Sequence, residues 1–445
     1  MALKQSHLTD MVERYRHNRQ RSREIFDLLS DDAYYSRPIA LRHPIVFYDG
    51  HLPAFSFNTL VKRALGRPSI DARLETLFAR GIDPHETSSR PGTTEATWPS
   101  RDDVRAFAAE ADRQILDALE NAELDRPGDP LLDHAEAAFT IIEHEAMHQE
   151  TLLYMWHRLP LEQKRRPAGY EPRVVGSTPK TEWIEVPTGR ATLGVNRGSI
   201  DFGWDNEFPA FAVDVEGFAI ERHDVTNARF VEFVEAGGYE DPQWWTPEDW
   251  SWIAREGISH PLFWEPIDGD WYWRGMFERA PLPPSWPVYV SHAEASAFAR
   301  WSGARLMTEA EFQRAAFGSP EGEREHPWGT AEVTPDRATI DFCSWDPEPV
   351  GTHPMGVSAW GVEDLIGNGW EWTGTPFAPF PGFRTMASYP EYSADFFDGE
   401  HFVMKGGSPA TARALVRPTF RNWFRGRYPY VYATFRCARS RAGRT

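Results

Sequence analysis

Two histidines four residues apart, His144 and His148, form the run H-E-A-M-H within Phe139 to Met155. On a helix that spacing puts both imidazoles on one face, where two ring nitrogens can converge on a single cation as a half-site for zinc or iron. Glu145 between them would be the general base of a zinc protease, but nothing downstream supplies the third ligand recognisable for that class. The third ligand has to come from elsewhere, and His51 is the best candidate. It lies in F-Y-D-G-H-L-P-A-F-S-F, Phe47 to Phe57, where a lone imidazole among aromatic and apolar residues needs a reason. A hydrogen-bonded core histidine is the commoner reason in general, and spacing leaves His43 open as a competitor. His134, between Asp133 and Glu136, reads as a solvated surface residue. Three neutral imidazoles with open positions opposite suit iron(II) redox chemistry or a zinc-bound water.

The elements that must position these residues read as helical up to about Leu159. Segments around Leu8–Leu29, Ala54–Leu65, Arg101–Leu119 and Ala135–His157 carry apolar residues at spacings of three and four. In the third, Val104, Phe107, Ala108, Ala111, Ile115 and Leu119 make one stripe for burial. Pro160 and the polar run Glu162 to Pro172 break that pattern. From Trp183 onward the texture becomes short apolar runs, such as Trp183–Val186 and Phe211–Val215, punctuated by Gly, Pro, Asn and Asp. Two helices are expected there, Ala293–Trp301 and Thr308–Phe317, the second opened by a Thr308/Glu311 capping box. The fold class is therefore α+β: a helical bundle over residues 1–160, a linker over 161–180, and a loop-rich mixed α/β domain over 181–445.

Composition bounds the partners. The 445 residues are 41% hydrophobic with 19 Trp, enough for two or three domains with real cores. Lys plus Arg number 47 against 66 Asp plus Glu, a net charge of −19 that repels a polyanion, so nucleic acid is not an expected partner. Cys343 and Cys437 are too few for a disulfide framework and fit a reducing compartment. With no signal-like start and no apolar run of about 18 residues, a soluble cytoplasmic protein without membrane contact is expected.

His51 in its G-H-L-x-x-F context, with His144-x-x-x-His148-Gln149-Glu150, resembles the N-terminal DinB-like half of the ergothioneine-pathway sulfoxide synthases, the EgtB family. Its selenium branch is the selenoneine synthase SenA. The second half is similar to the formylglycine-generating-enzyme-like (C-type-lectin-like) fold in successive motifs. These are W-I-E-V-P-T-G-R-A-T-L-G at Trp183–Gly194, D-V-T-N at Asp224–Asn227, R-L-M-T-E-A-E at Arg305–Glu311 and G-N-G-W-E-W-T at Gly367–Thr373. Gly406-Gly407-Ser408 and Phe435-Arg436 follow. Neither Cys343 nor Cys437 sits in the copper-binding cysteine motif of the formylglycine-generating enzymes, so their activity is not implied.

The resemblance implies an iron(II) enzyme that uses dioxygen to join sulfur or selenium to imidazole C2 of hercynine, the trimethylated betaine of histidine. It assigns His51, His144 and His148 as metal ligands and Tyr389, in Tyr389-Pro390-Glu391-Tyr392, as proton donor. Tyr392 would face the betaine, the Asn422 amide would hold its carboxylate, and the Trp423 indole would meet the trimethylammonium, a contact of about 0.5 to 2 kcal/mol. Where relatives that use gamma-glutamylcysteine carry Asp and Arg, this chain has Phe424 and Tyr428, and it has Met147 where they place a Gln. A smaller or less charged donor follows: cysteine, a selenosugar, or another small thiol or selenol, with Arg90, Arg425 and Arg427 as candidate contacts. Two other readings use the same residues. A zinc-dependent DinB-type thiol transferase would need the histidines but no oxygen, and a betaine-binding sensor would need the aromatic residues but not His144 and His148.

Overall fold

A computed structural model describes residues 5–79, 98–170 and 176–440 of the chain. It divides into two compact units: Met1–Tyr170 with Ala387–Tyr389, and Glu171–Met386 with Pro390–Thr445. No helix among the described residues is long and apolar enough to cross a membrane.

The first unit is built on helices α1 (Gln5–Asp27), α2 (Ile45–Ser56), α3 (Ala72–Leu77), α4 (Arg101–Asn121) and α5 (Glu136–His157), with α1 against α4 and α5, and α2 against α4 and α5. On α4 the stripe Val104, Phe107, Ala111, Ile115 and Leu119 is buried as its spacing requires, and Ser100 and Asp103 cap the helix reciprocally. Helix α2 departs from the expectation, starting at Ile45 and ending where the sequence suggested a beginning. Apolar on every side, it buries all its residues except Asp49 and so shows no amphipathic period to read. Pro53 inside it lacks a backbone donor, and the chain beyond Ser56 loosens into a π-helical turn, Phe57–Ala64.

A buried ionic network crosses this unit. Arg19 donates to Asp112 at 2.8 Å and to Glu145 at 2.9 Å, Tyr15 donates to Asp112 at 2.7 Å, and Ser22 donates to Glu145 at 2.7 Å. Burial pushes the Glu145 carboxyl up from its ordinary value, while Arg19 pulls it back. Each charge is tolerated because the other is present, and the network fixes α5 against α1 and α4.

The second unit holds two four-stranded sheets. In one, Trp183–Val186, Phe218–Glu221, Cys437–Ser440 and Arg305–Leu306 are neighbours in that order; in the other, Asn422–Arg425, His401–Lys405, Trp370–Pro376 and Ala433–Thr434. Two-stranded Gly189–Leu193 with Phe211–Val215 accompanies them. A three-stranded sheet (Trp264–Ile267, Asp270–Arg274, Arg279–Pro281) and helices α6 (Asn227–Glu235), α7 (Pro247–Glu256), α8 (His292–Trp301) and α9 (Glu309–Phe317) also belong to it, with the Thr308/Glu311 box in place on α9. Neither α6 nor α7 was expected. The β-prone run of α6 and the Trp-rich run of α7 give weak helical signals, yet Thr226 and Thr246 cap them and a left-handed Gly257 stops α7. Three of the successive motifs lock onto each other: Arg436, fully buried, donates to Glu371 at 2.6 and 2.8 Å and to Asp224 at 3.0 Å.

Arg19→Leu, which takes the cation from the buried Glu145 while Asp112 keeps Arg23 and Tyr15, is expected to cost about 3 to 5 kcal/mol in urea unfolding. Arg16→Leu, which breaks the exposed 2.7 Å pair with Glu120, is expected to cost under about 1 kcal/mol. Equal losses would contradict the network's role.

Candidate metal centre

Helix α5 presents His144 and His148 one turn apart, with ring centroids separated by 4.4 Å. His51 reaches them from α2, its ring 5.1 Å from His144 and 5.0 Å from His148. One ring nitrogen from each lies within 4.8 Å of the others, and these three are the one such cluster among the described residues. His51 and His144 are buried and His148 half-buried.

The ring nitrogens are placed so that they could hold a cation. Nδ1 of His51 lies 2.7 Å from the Phe78 carbonyl oxygen, which only accepts, so Nδ1 carries the proton and Nε2 keeps its lone pair. That Nε2, both ring nitrogens of His144 and Nδ1 of His148 are buried without a hydrogen-bond partner. Buried polar atoms are rarely left so, and a cation among them would give one nitrogen of each ring a partner at once. Burial lowers the His51 pKa to about 4 and holds those of His144 and His148 well below the ordinary value, with the neighbouring imidazoles adding to the depression. All three are therefore neutral at pH 7, the state that binds metal. The residues present fit a divalent ion; imidazole suits zinc, copper, nickel and iron alike.

Aromatic rings wall the cluster. Phe55 stacks on His144 at 3.5 Å and 9°, Phe47 lies over His51 at 5.1 Å and 17°, and Tyr48 stands 5.9 Å from His148. Gly50 makes room: a Cβ there would meet the Phe78 ring at 2.3 Å, displacing the residue whose carbonyl orients His51. His43 stacks on Phe47 at 4.1 Å and is not in the cluster, and His134 is exposed beside Asp133. Glu145 points into the ionic network with Arg19 and Ser22, which removes the general base of the protease reading. The Phe78 carbonyl and the Phe55 stack were missed in the sequence, although Phe47, His51 and Phe55 recur every four residues along one helical face.

Tyr389 belongs to this unit, its ring 5.1 Å from Phe55 and 6.1 Å from His144. Met147 lies half-buried on α5, and Arg90 lies outside the described residues.

In the second unit Tyr392 stacks on Trp204 at 3.9 Å and meets Trp423 edge-on at 5.0 Å, while Phe377 covers one face of Trp423 at 4.2 Å. The neighbouring Ser393 hydroxyl donates to Asp205 and accepts from Asn206 Nδ2 at 2.9 Å. Asn422 Oδ1 accepts from the Trp423 backbone N–H at 2.9 Å, so its amide NH2 is the group left to donate. Phe424 stacks on Tyr428 at 5.3 Å, Arg425 is half-buried, and Arg427 is paired with Asp249 at 2.8 Å.

Residues 171–441 match the family described as the sulfatase-modifying factor enzyme 1-like domain, and residues 14–152 match the DinB superfamily. The chain is 38% identical over 338 residues to a hercynine oxygenase of Mycolicibacterium smegmatis, covering 72% of this chain and 74% of that one. The chain belongs to the EgtB family. A second EgtB-family relative, ergothioneine biosynthesis protein 1 of Schizosaccharomyces pombe, is 29% identical over 451 residues, 91% of this chain and 53% of its own length. The formylglycine-generating enzyme of Mycobacterium tuberculosis is 33% identical over 237 residues, 45% of this chain and 75% of that enzyme.

Between about pH 4 and 6.5 the unfolded chain carries a proton on His51 that the folded chain refuses, so the stability this group contributes above 6.5 is lost as pH falls through that window. The metal-free protein should lose urea resistance between about pH 7 and about pH 5, and His51→Phe should reduce that loss by part of its slope. An unchanged slope in the variant would contradict a neutral His51.

Proposed function

We propose that the protein is an iron(II)- and dioxygen-dependent oxidoreductase that joins sulfur or selenium to imidazole C2 of hercynine. The observation that carries the reading is the triple of neutral imidazoles, each with a buried ring nitrogen that has no hydrogen-bond partner, with the Tyr389 ring beside it. Relatives named for hercynine oxygenation and ergothioneine biosynthesis support the substrate and the use of oxygen. With a thiol the balance is direct: the C2–H and S–H bonds break, C–S and S–O bonds form, and the second oxygen atom leaves as water.

When bound, ferrous iron would supply open coordination positions and the electrons that begin dioxygen reduction. His51, His144 and His148 would hold it, and Phe47 and Phe55 keep water off two of the three rings. Tyr389 is the proposed proton donor, since a phenol keeps its proton at neutral pH and can release it as charge develops nearby. The Asn422 NH2 group is the proposed donor to the betaine carboxylate, and Trp423 with Tyr392 offers aromatic surface to a permanent cation. Phe424 stacked on Tyr428 presents an apolar surface where other family members carry charges, which favours cysteine or a selenosugar over gamma-glutamylcysteine as donor. Met147, Arg425 and Arg90 complete the proposed substrate contacts.

The test loads the protein with iron(II) without oxygen, then adds hercynine, one donor at a time and finally oxygen, with products read by mass spectrometry. A sulfoxide or selenoxide of hercynine is expected with iron only, and Tyr389→Phe should lower its rate roughly 10²- to 10⁴-fold while retaining metal. Oxygen-independent transfer supported by zinc would establish the thiol transferase instead. Hercynine binding that survives His144→Ala, with no product from any donor, would establish a binding module.

A further inference from the structure

Tyr389 reaches the histidines from far along the sequence, and the residue before it is gripped on every polar atom. The Ser388 N–H donates to Glu136 Oε1 at 3.0 Å, across 252 positions of sequence. The Ser388 and Thr140 hydroxyls are 2.8 Å apart, and because Thr140 donates to the Glu136 carbonyl at 2.7 Å, the proton between the two comes from Ser388. Arg63 donates to the Ser388 carbonyl at 3.2 Å and to the Ala387 carbonyl at 3.1 Å. Ser388 is fully buried.

The gripping residues stand on the elements that carry the histidines. Glu136, Thr140, His144 and His148 follow one another at intervals of four on α5 and so share one face. Arg63 lies in the π-helical turn that continues α2, the helix of His51. The start of α5 is itself constrained: His134 and Ala135, neither of them glycine, adopt left-handed φ values of 53° and 55° immediately before Glu136. Such geometry is costly and persists where the surroundings impose it.

We propose that Glu136, Thr140 and Arg63 are positioning residues that fix Tyr389 relative to the three imidazoles, so that one helix face sets both the ligand spacing and the place of the phenol. The inference rests on the reading of Tyr389 as proton donor. The residues act through the Ala387–Ser388 backbone and touch no substrate.

The test has a readout in the metal-free protein and one in turnover. Glu136→Ala, Thr140→Val and the exposed Arg63→Met should each speed amide exchange in the peptide spanning 387–389, about tenfold for the charged bonds of Glu136 and Arg63 and less for the neutral Thr140 hydroxyl, with exchange in the centre of α5 unchanged. In the iron-loaded enzyme, Glu136→Ala should lower kcat, by up to roughly a hundredfold, with KM for hercynine and metal content unchanged. Glu136→Gln, which keeps an acceptor oxygen, should restore most of the rate. Added to Tyr389→Phe, Glu136→Ala should cost little more. An equal fold-loss in both backgrounds, or unaltered exchange at 387–389 in all three variants, overturns the proposal. A fully active Glu136→Ala enzyme beside a crippled Tyr389→Phe enzyme overturns the clamp alone; a fully active Tyr389→Phe enzyme overturns the phenol's role and the clamp's with it.

Discussion

Removing three imidazoles from water while leaving at least one ring nitrogen of each without a protein partner is the constraint on which the helical unit turns. Each buried nitrogen left without a hydrogen bond costs on the order of 1 to 3 kcal/mol, and protonation cannot relieve the cost because charge is still less welcome there. Burial drives His51, His144 and His148 to the neutral form, and the Phe78 carbonyl settles which nitrogen of His51 keeps its lone pair. The same desolvation that makes the cluster unfavourable when empty makes it receptive to a cation.

A site of this kind needs rigid support, and the fold supplies it by polar means. The Arg19, Asp112 and Glu145 network locks α5 to its neighbours from a face adjoining that of the candidate ligands His144 and His148, so the Glu145 carboxylate is engaged in holding the helix. On the ligand side, α5 also docks Ser388. One helix thus carries structural charge, candidate ligands and a grip on the segment bearing Tyr389.

What the sequence conveyed depends on where each signal resides. The His144/His148 pair and the α4 stripe were readable because a regular helix turns spacing into shared faces. The strands Trp183–Val186 and Phe211–Val215, and the Thr308/Glu311 cap, were local patterns and matched. Helix α2 was not legible as a helix, since full burial erases the alternation that marks one. Spacing could not separate His51 from His43; the backbone carbonyl that orients His51 comes from Phe78, which leaves no mark in side-chain pattern. The motifs Asp224, Glu371 and Arg436 identified the family while proving to be partners in one buried ion cluster, so they report fold more than chemistry.

The central claim is that His51, His144 and His148 hold one metal together. Iron K-edge X-ray absorption on the anaerobically loaded protein tests it most directly. The account predicts one iron per chain with three imidazole scatterers, falling to two in His51→Ala. Fewer than three imidazoles in the native protein, or a count unmoved by His51→Ala, would contradict it.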